Sequence, residues 1–372
     1  MIITIIIFII ILGILVFVHE FGHFIVAKKS GMRVDEFGFG FPPRIAGIQK
    51  VNGRLKWVWG HKDPLDTEKT VYSFNWIPLG GFVKIRGENN EGEDDPRSFI
   101  NRPFWGRFFT LVAGVCMNLL LACCIFIGGY MVGLPVAVNS LSEIPAHSTF
   151  SQPQIGILDV LAGEPAAKAG ILPNDVVVSV DGQSFTAISD LQSYVGSHKG
   201  QSLDFVILRD KKELTFHITP LTNPGPDQGP TGIELALVGR LKYSPVFAII
   251  EGVKTTGMEL SAIVGGLYQL FSGQLGFSSL GGPVKIAKLT GQVAGMGFVF
   301  LMQFMAFLSL NLAVLNILPF PALDGGRVLF LLVEKIRGKR NNQKFEQIAN
   351  TAGFVFLILL MVAVTINDIV RK

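Results

Sequence analysis

Long apolar runs alternate along this chain with stretches patterned as strands and short helices. Four runs stand out: Ile2–Ala27, Phe104–Leu134, Gly295–Leu323 and Thr351–Ile366. The first is uncharged through Val18, the second from Phe108 onward, and the third until Asp324. A helix rises about 1.5 Å per residue, so about 20 apolar residues cross the hydrocarbon core of a bilayer. The fourth run is short of that and spans only with help from its flanks. The pattern predicts a multi-pass α-helical membrane protein with about four transmembrane helices.

Between the first two runs, residues 34–86 are rich in Gly, Pro and aromatics, as in Phe37-Gly38-Phe39-Gly40-Phe41 and Tyr72-Ser73-Phe74-Asn75-Trp76. Alternation of this kind predicts strands and tight turns. Pro78 to Ile85 reads as a turn feeding a strand. This β segment is either a membrane-associated hairpin or sheet dipping into the bilayer edge, or an ordinary small cytoplasmic β-domain. Glu88–Asp95 is acidic and predicts an exposed loop. Residues 1–134 thus hold the first two spans and the β segment.

Residues 150–222 read as an inserted α+β domain. Strands are expected at Ile155–Val160 and Asp175–Val180, short helices at Glu164–Gly170 and Ser189–Ser197, and a hairpin of Leu203–Arg209 with Glu213–Thr219 around Asp210-Lys211. Asn223–Pro230, with its prolines and glycines, is the exit linker. Residues 244–276 are apolar with scattered charges at Glu251, Lys254 and Glu259. They predict an amphipathic helix lying in the interface, with a fifth span as the alternative. Residues 295–372 carry the third and fourth spans.

Composition agrees with this picture. The chain has 372 residues, 49% hydrophobic and 16% charged, which is too apolar for a soluble domain. Lys and Arg orient it. Lys28, Lys29 and Arg33 follow the first run; Arg327, Lys335, Arg337, Lys339, Arg340 and Lys344 follow the third; none lies between Pro135 and Ala167. The positive-inside rule then places both termini outside and the loops after the first and third spans in the cytoplasm, with Arg371 and Lys372 opposing weakly. These flanks account for the net charge of +4, so nothing points to nucleic acid. Cys116, Cys123 and Cys124 all lie in the second run and read as small apolar residues. The first run lacks the basic start of a signal peptide.

Chemistry enters with His19-Glu20-Phe21-Gly22-His23, inside the first run. Residues four apart share a helix face, so both histidines can point at one metal, and Glu20 lies beside them to take a proton from a metal-activated water. Ionisable groups in a span are costly and mark function by default. A second constellation runs from Asn311 to Arg327, where Pro319, Pro321 and Gly325-Gly326 interrupt an apolar helix around Asp324. Irregular backbone at membrane depth is tolerated only when buried in protein or lining a cavity. Asp324 is either the third metal ligand that HExxH lacks, leaving a fourth position open, or a helix N-cap.

The sequence Val18 to His23, the stretch Pro78-Leu79-Gly80-Gly81-Phe82-Val83-Lys84, and Asn316…Pro319…Pro321…Leu323-Asp324-Gly325-Gly326 together resemble the site-2 protease family of intramembrane zinc proteases, in its bacterial regulator-of-sigma-E branch. Gly282-Pro283-Val284 and Gly114…Asn118 fit the same resemblance, although Val115 stands where the family often has proline. The resemblance covers nearly the whole chain. It implies Zn2+ on His19, His23 and Asp324, with Glu20 as the catalytic base. It also implies that residues 154–220 form one extracytoplasmic PDZ-like domain, where some relatives carry two. That domain is then a size filter, a peptide groove or a spacer.

The implied activity is regulated intramembrane proteolysis of single-span membrane proteins, such as an anti-sigma factor or a remnant signal peptide, in a bacterial inner membrane. The active site is expected toward the cytoplasmic side of the lipid bilayer. A substrate helix must be unwound locally before water can attack its backbone. Gly80 and Gly81 are candidates to pair with the extended substrate by strand addition. Asn316 and Asn311 are candidates to hydrogen-bond its freed backbone groups, with an interhelical hydrogen bond as the alternative for each. Two other classes compete. A metal transporter predicts paired polar residues in two repeated halves, which the sequence lacks. A non-catalytic scaffold of the same fold has no use for Glu20.

Overall fold

The computed structural model describes residues 2–60, 64–66, 68–88, 94–209, 211–225, 228–276 and 281–370. Residues 89–93 of the expected acidic loop, Asp210 of the hairpin turn, 226–227 of the linker, and Arg371 and Lys372 lie outside these. The chain divides into two compact units, Met1–Ile125 with Val253–Lys372, and Phe126–Gly252.

In the first unit the opening apolar run is helix α1 (Ile2–Lys29), with Lys28 and Lys29 in its last turn, where cations suit the helix dipole. The alternating segment forms β1 (Val34–Val51), β2 (Arg54–Trp59) and β3 (Val71–Ile85), in the order β2-β1-β3. β1 and β3 are long and bent, so that Phe37 pairs with Val83 on one side and Tyr72 on the other. Among the described residues β3 is an edge strand, and its residues 81–85 pair only with the start of β1. The glycines place this edge. Gly80 has φ +89°, and a Cβ on it would lie 2.5 Å from the Val16 side chain; one on Gly81 would lie 3.0 Å from Gly38 O. The strand thus rests directly on α1, one turn before His19.

Helix α2 (Phe104–Val132) packs on α1 by the same device. A Cβ on Gly22 would meet Ala113 O at 2.4 Å. Small residues allow this approach in a bundle where lipid supplies no hydrophobic drive between helices.

The second unit is built on a six-stranded antiparallel sheet. Its elements are β4 (Leu134–Val138), β5 (Ser148–Val160), α3 (Pro165–Ala169), β6 (Val176–Val180), α4 (Ile188–Ser197), β7 (Leu203–Arg209), β8 (Lys212–Ile218) and β9 (Ile233–Tyr243), ordered β4-β9-β5-β6-β7-β8. Strands and helices fall where the pattern predicts them between 155 and 219. β4, the start of β5 and β9 are the additions: β9 follows the linker and returns between β4 and β5, and its Leu237 is buried with Ile155, Ile157, Phe205 and Leu203 in one core. The sheet therefore extends beyond residue 222, because β9 alternates like its neighbours and supplies the partner that β5 needs.

After it comes helix α5 (Pro245–Phe271), which exposes Val246, Ile249, Ile250, Val253, Val264 and Tyr268 along one face. It is not among the four described helices that are long and apolar enough to cross a membrane; those are α1, α2, Phe298–Ile317 and Gln343–Val370.

The first unit resumes with α6 (Pro283–Met296), α7 (Phe298–Ile317), α8 (Asp324–Arg337) and α9 (Gln343–Val370). A Cβ on Gly291 of α6 would meet Thr4 of α1 at 2.5 Å, and Asp368 of α9 accepts the Lys285 N–H of α6 at 3.0 Å. The third apolar run does not stay helical to Leu323. Pro319 and Pro321 lack N–H donors and disfavour helix before them, so α7 stops at Ile317, and Ala322 adopts φ +76°. The fourth helix is longer than its apolar run, with 28 residues, or about 42 Å, which removes the apparent shortfall.

The position of β9 generates a test. A soluble fragment of residues 134–243 should unfold cooperatively in urea, followed by circular dichroism. A fragment ending at 222 should lose cooperativity, because it exposes the β5 edge and the core face beneath Leu237. Equal stability of the two fragments would show β9 to be dispensable.

Candidate metal centre

His19 and His23 sit one turn apart on α1, 5% and 7% exposed, with ring centroids 4.9 Å apart. Asp324 reaches them from the first turn of α8. Its Oδ2 lies 2.9 Å from His19 Nε2 and 3.3 Å from His23 Nε2, and the two Nε2 atoms are 3.2 Å apart. Asp324 is not an N-cap: the cap is Leu323, which makes no side-chain cap hydrogen bond. Asp324 Oδ2 is buried without a hydrogen-bond partner, although both imidazoles are close. That combination suits coordination better than hydrogen bonding. A tetrahedral zinc with ligands at about 2.0–2.1 Å separates them by about 3.3 Å. Two imidazoles and a carboxylate are a catalytic zinc set with one position left open.

Both rings are held from behind. His23 Nδ1 is 2.7 Å from Thr110 O, so Nδ1 carries the proton and Nε2 keeps its lone pair. His19 Nδ1 faces the Asn118 amide at 3.2 Å. Asn118 is fully buried, and its Oδ1 has no partner. Turning the amide so that Oδ1 accepts from His19 Nδ1–H satisfies that oxygen and leaves His19 Nε2 free as well. Asn118 is itself held by its backbone: Ser309 Oγ of α7 donates to its carbonyl at 2.8 Å.

Gly114 makes the room. A Cβ there would lie 2.4 Å from His23 Nε2 and 2.6 Å from His19 Cε1. Thr110, Gly114 and Asn118 follow at intervals of four on one face of α2. That spacing of small and polar residues in an apolar run is the signal by which they are visible in sequence. By resemblance alone the sequence marks Gly114 and Asn118 without assigning either a role.

The ligand-bearing end of α8 is fixed by close backbone packing. A Cβ on Gly325 would come within 2.2 Å of Ile317 O and Leu318 O, and one on Gly326 within 2.2 Å of Phe320 O. The Ala322 N–H donates to Asn350 Oδ1 of α9 at 3.1 Å.

Of the other expected site residues, Glu20 follows His19 on α1 and interacts electrostatically with His23, His19 and Asp324. Asn316 comes to the centre, its Nδ2 3.3 Å from His19 Nε2. Asn311 does not. It is five residues earlier on α7, and its amide donates to Phe307 O of its own helix at 2.8 Å. Gly80 and Gly81 lie on β3 against α1, within a turn of His19.

The chain matches the model of peptidase family M50 over residues 7–59 and 62–360. It is 30% identical to the regulator of sigma-W protease RasP of Bacillus subtilis, covering 99% of this chain and 98% of that one. It is also 30% identical to the zinc metalloprotease RasP of Bacillus licheniformis, covering 99% of each. Among solved structures, the PDZ domain of an SdrC-like protein from Listeria innocua aligns at 26% identity with a TM-score of 0.20, over 22% of this chain and 92% of that one. The chain belongs to peptidase family M50, the site-2 protease family, and is a zinc metalloprotease.

Proposed function

We propose that this protein is an integral-membrane zinc endopeptidase that cuts a peptide bond inside the membrane span of another protein. The observation that carries the reading is the meeting of His19, His23 and Asp324 in an otherwise apolar bundle, with Glu20 beside them. When bound there, zinc supplies Lewis acidity, which lowers the pKa of a water toward about 7 and polarises a carbonyl. His19, His23 and Asp324 would hold the ion. Asn118 and the Thr110 carbonyl fix the two ring orientations. Glu20 accepts the proton of the attacking water and returns it to the leaving amine. A scaffold without activity would need the ligands but not Glu20.

Two features support an extended substrate. Among the described residues the 81–85 stretch of β3 pairs on one side only, which leaves its other edge for strand addition. Asn316 sits at the centre, its amide nitrogen 3.3 Å from His19 Nε2; with that ring atom on a metal, the amide would turn to a substrate carbonyl freed from its helix. The substrate class is a single-span membrane protein. The name of the Bacillus subtilis relative, regulator of sigma-W protease, makes a sigma-factor regulator the first candidate. The basic residues after the first and third spans support an active site toward the cytoplasmic side and an extracytoplasmic 150–222 domain, and the bacterial relatives support an inner-membrane location.

Metal analysis tests the ligand set. Purified protein should hold about one zinc per chain, and His19→Ala, His23→Ala or Asp324→Ala should each deplete it. Glu20→Gln should keep the zinc and lose cleavage of a single-span test substrate by about 10²–10⁴-fold. Full metal and full activity in Asp324→Ala would refute the assignment.

The supports behind the ligands give a graded series. Asn118→Ala should weaken zinc affinity by about 10–100-fold, as expected for loss of a partner that orients a ligand. Gly114→Val should abolish binding, since its side chain must occupy the space of the imidazoles. Competition with a chelator ranks both; parent-like affinity in either variant would remove that residue from the site.

Orientation is open to thiol labelling. In a background free of the native cysteines, Gly338→Cys should react from the cytoplasmic side and Lys211→Cys from the outside. Reaction of position 211 from the cytoplasmic side alone would invert the topology.

A further inference from the structure

The candidate metal centre gathers carboxylates in a site of low dielectric, and among the described residues the Arg327 guanidinium interacts with them. Arg327 follows Asp324 by three residues on α8, on the same side of the helix. Its Nη1 is paired with Glu88 Oε1, and its charge also interacts with Asp324 and Glu20. Glu88 belongs to the turn just after β3, where its N–H donates to Ile85 O at 3.2 Å. The bridge therefore joins the end of the edge strand to the first turn of the ligand-bearing helix. The Glu88 and Arg327 side chains are 20% and 34% exposed. A pair as sheltered as this is screened less than a surface one.

The same helix carries a second bridge that serves as a comparison. Arg107 of α2 holds Glu334 through contacts of 2.7 and 3.1 Å. Glu334 is ten residues beyond Asp324, about 15 Å along the helix. Glu88, Arg107 and Arg327 all line an open cavity of about 720 Å³ that reaches Ala322, two residues from Asp324. The cation of the Glu88–Arg327 bridge interacts with both Glu20 and Asp324.

Resting on the peptidase reading above, we propose that Glu88 and Arg327 are a positioning pair for the reaction: Glu88 anchors the Arg327 guanidinium, and its fixed positive charge holds the Glu20 and Asp324 carboxylates in their working arrangement. Glu88 alone would add a third negative charge to the group. Arg327 alone would be free to swing into the open cavity. Together they set a charge at a defined place, at no cost in reorganisation when the reaction occurs.

The test uses the full chain with a single-span test substrate, and measures zinc content, kcat and KM. The parent must cleave and Glu20→Gln must not; failure there overturns the peptidase reading itself and is read separately. Arg327→Gln and Glu88→Gln should each lower kcat about tenfold or more, with KM within about threefold and zinc at the parent level. The double variant should lose no more than the worse single one, because both remove the same unit. Arg327→Lys keeps the charge and should lose less than Arg327→Gln. The exchanged pair, Glu88→Arg with Arg327→Glu, should restore the bridge but not the rate, since it sets a carboxylate beside Glu20 and Asp324. Arg107→Gln should lower thermal stability and leave kcat within about threefold. Three results overturn the proposal: parent-like kcat in Arg327→Gln, zinc loss that matches the loss of rate, or full recovery in the exchanged pair.

Discussion

Two imidazoles and a carboxylate cannot stand alone in hydrocarbon. Each carries polar atoms that lose water on insertion, and an isolated charge there costs several kcal/mol. The only inexpensive arrangement is one in which they meet one another. That requirement governs the first compact unit. His19 and His23 come from α1, Asp324 from α8, and their outer ring atoms are satisfied by Asn118 and Thr110 of α2. Three helices remote in sequence are thereby committed to one point, and α7 joins them through Ser309.

Such a meeting demands that backbones come closer than ordinary side chains allow. The glycines at the contacts supply this. Gly22 admits the α2 backbone, Gly114 leaves space for the imidazoles, and Gly325 and Gly326 seat α8 against the carbonyls of the broken α7 end. The break is itself necessary: a helix continued through 318–323 would carry Asp324 on past the histidines. Pro319 and Pro321 end α7, and the carbonyls they free are covered by α8 and by Gly353 of α9, whose Cβ would fall 2.5 Å from Pro321 O.

Much of this was legible in the sequence because its signals are local. HExxH brings two candidate ligands together by helical spacing, four apolar runs give four candidate spans, and alternation gives β1 to β3. Asp324 was legible as a candidate third ligand only with an alternative, since a carboxylate after two prolines serves equally as a cap; in the structure Leu323 takes the cap position and Asp324 lies beside both histidines. What was not legible depends on pairing between remote segments. β9 looks like any short apolar strand, and nothing within residues 233–243 says that it returns to lie between β4 and β5. Asn311 and Asn316 look alike on paper. Five residues on a helix turn them about 140° apart, so only one faces the histidines while the other bonds to its own helix. The Glu88–Arg327 bridge links residues 239 apart and has no sequence signature.

The place of β3 follows from the same helix that carries the ligands. Gly80 and Gly81 rest on Val16 and Phe17, and His19 is two residues farther along α1. A segment added to the 81–85 edge would therefore be registered against a rigid helix, not a mobile loop, and its backbone would run within a turn of the histidines. Bending of β1 and β3 secures that register, because the start of β1 is held on both sides by β3. A side chain at Gly80 would push the strand off Val16 and carry the edge away from the centre without touching any ligand. The distance between the 81–85 edge and the histidines is thus set by one glycine contact on α1, so the geometry of any segment added to that edge and the geometry of the His19–His23–Asp324 cluster are parts of a single packing problem.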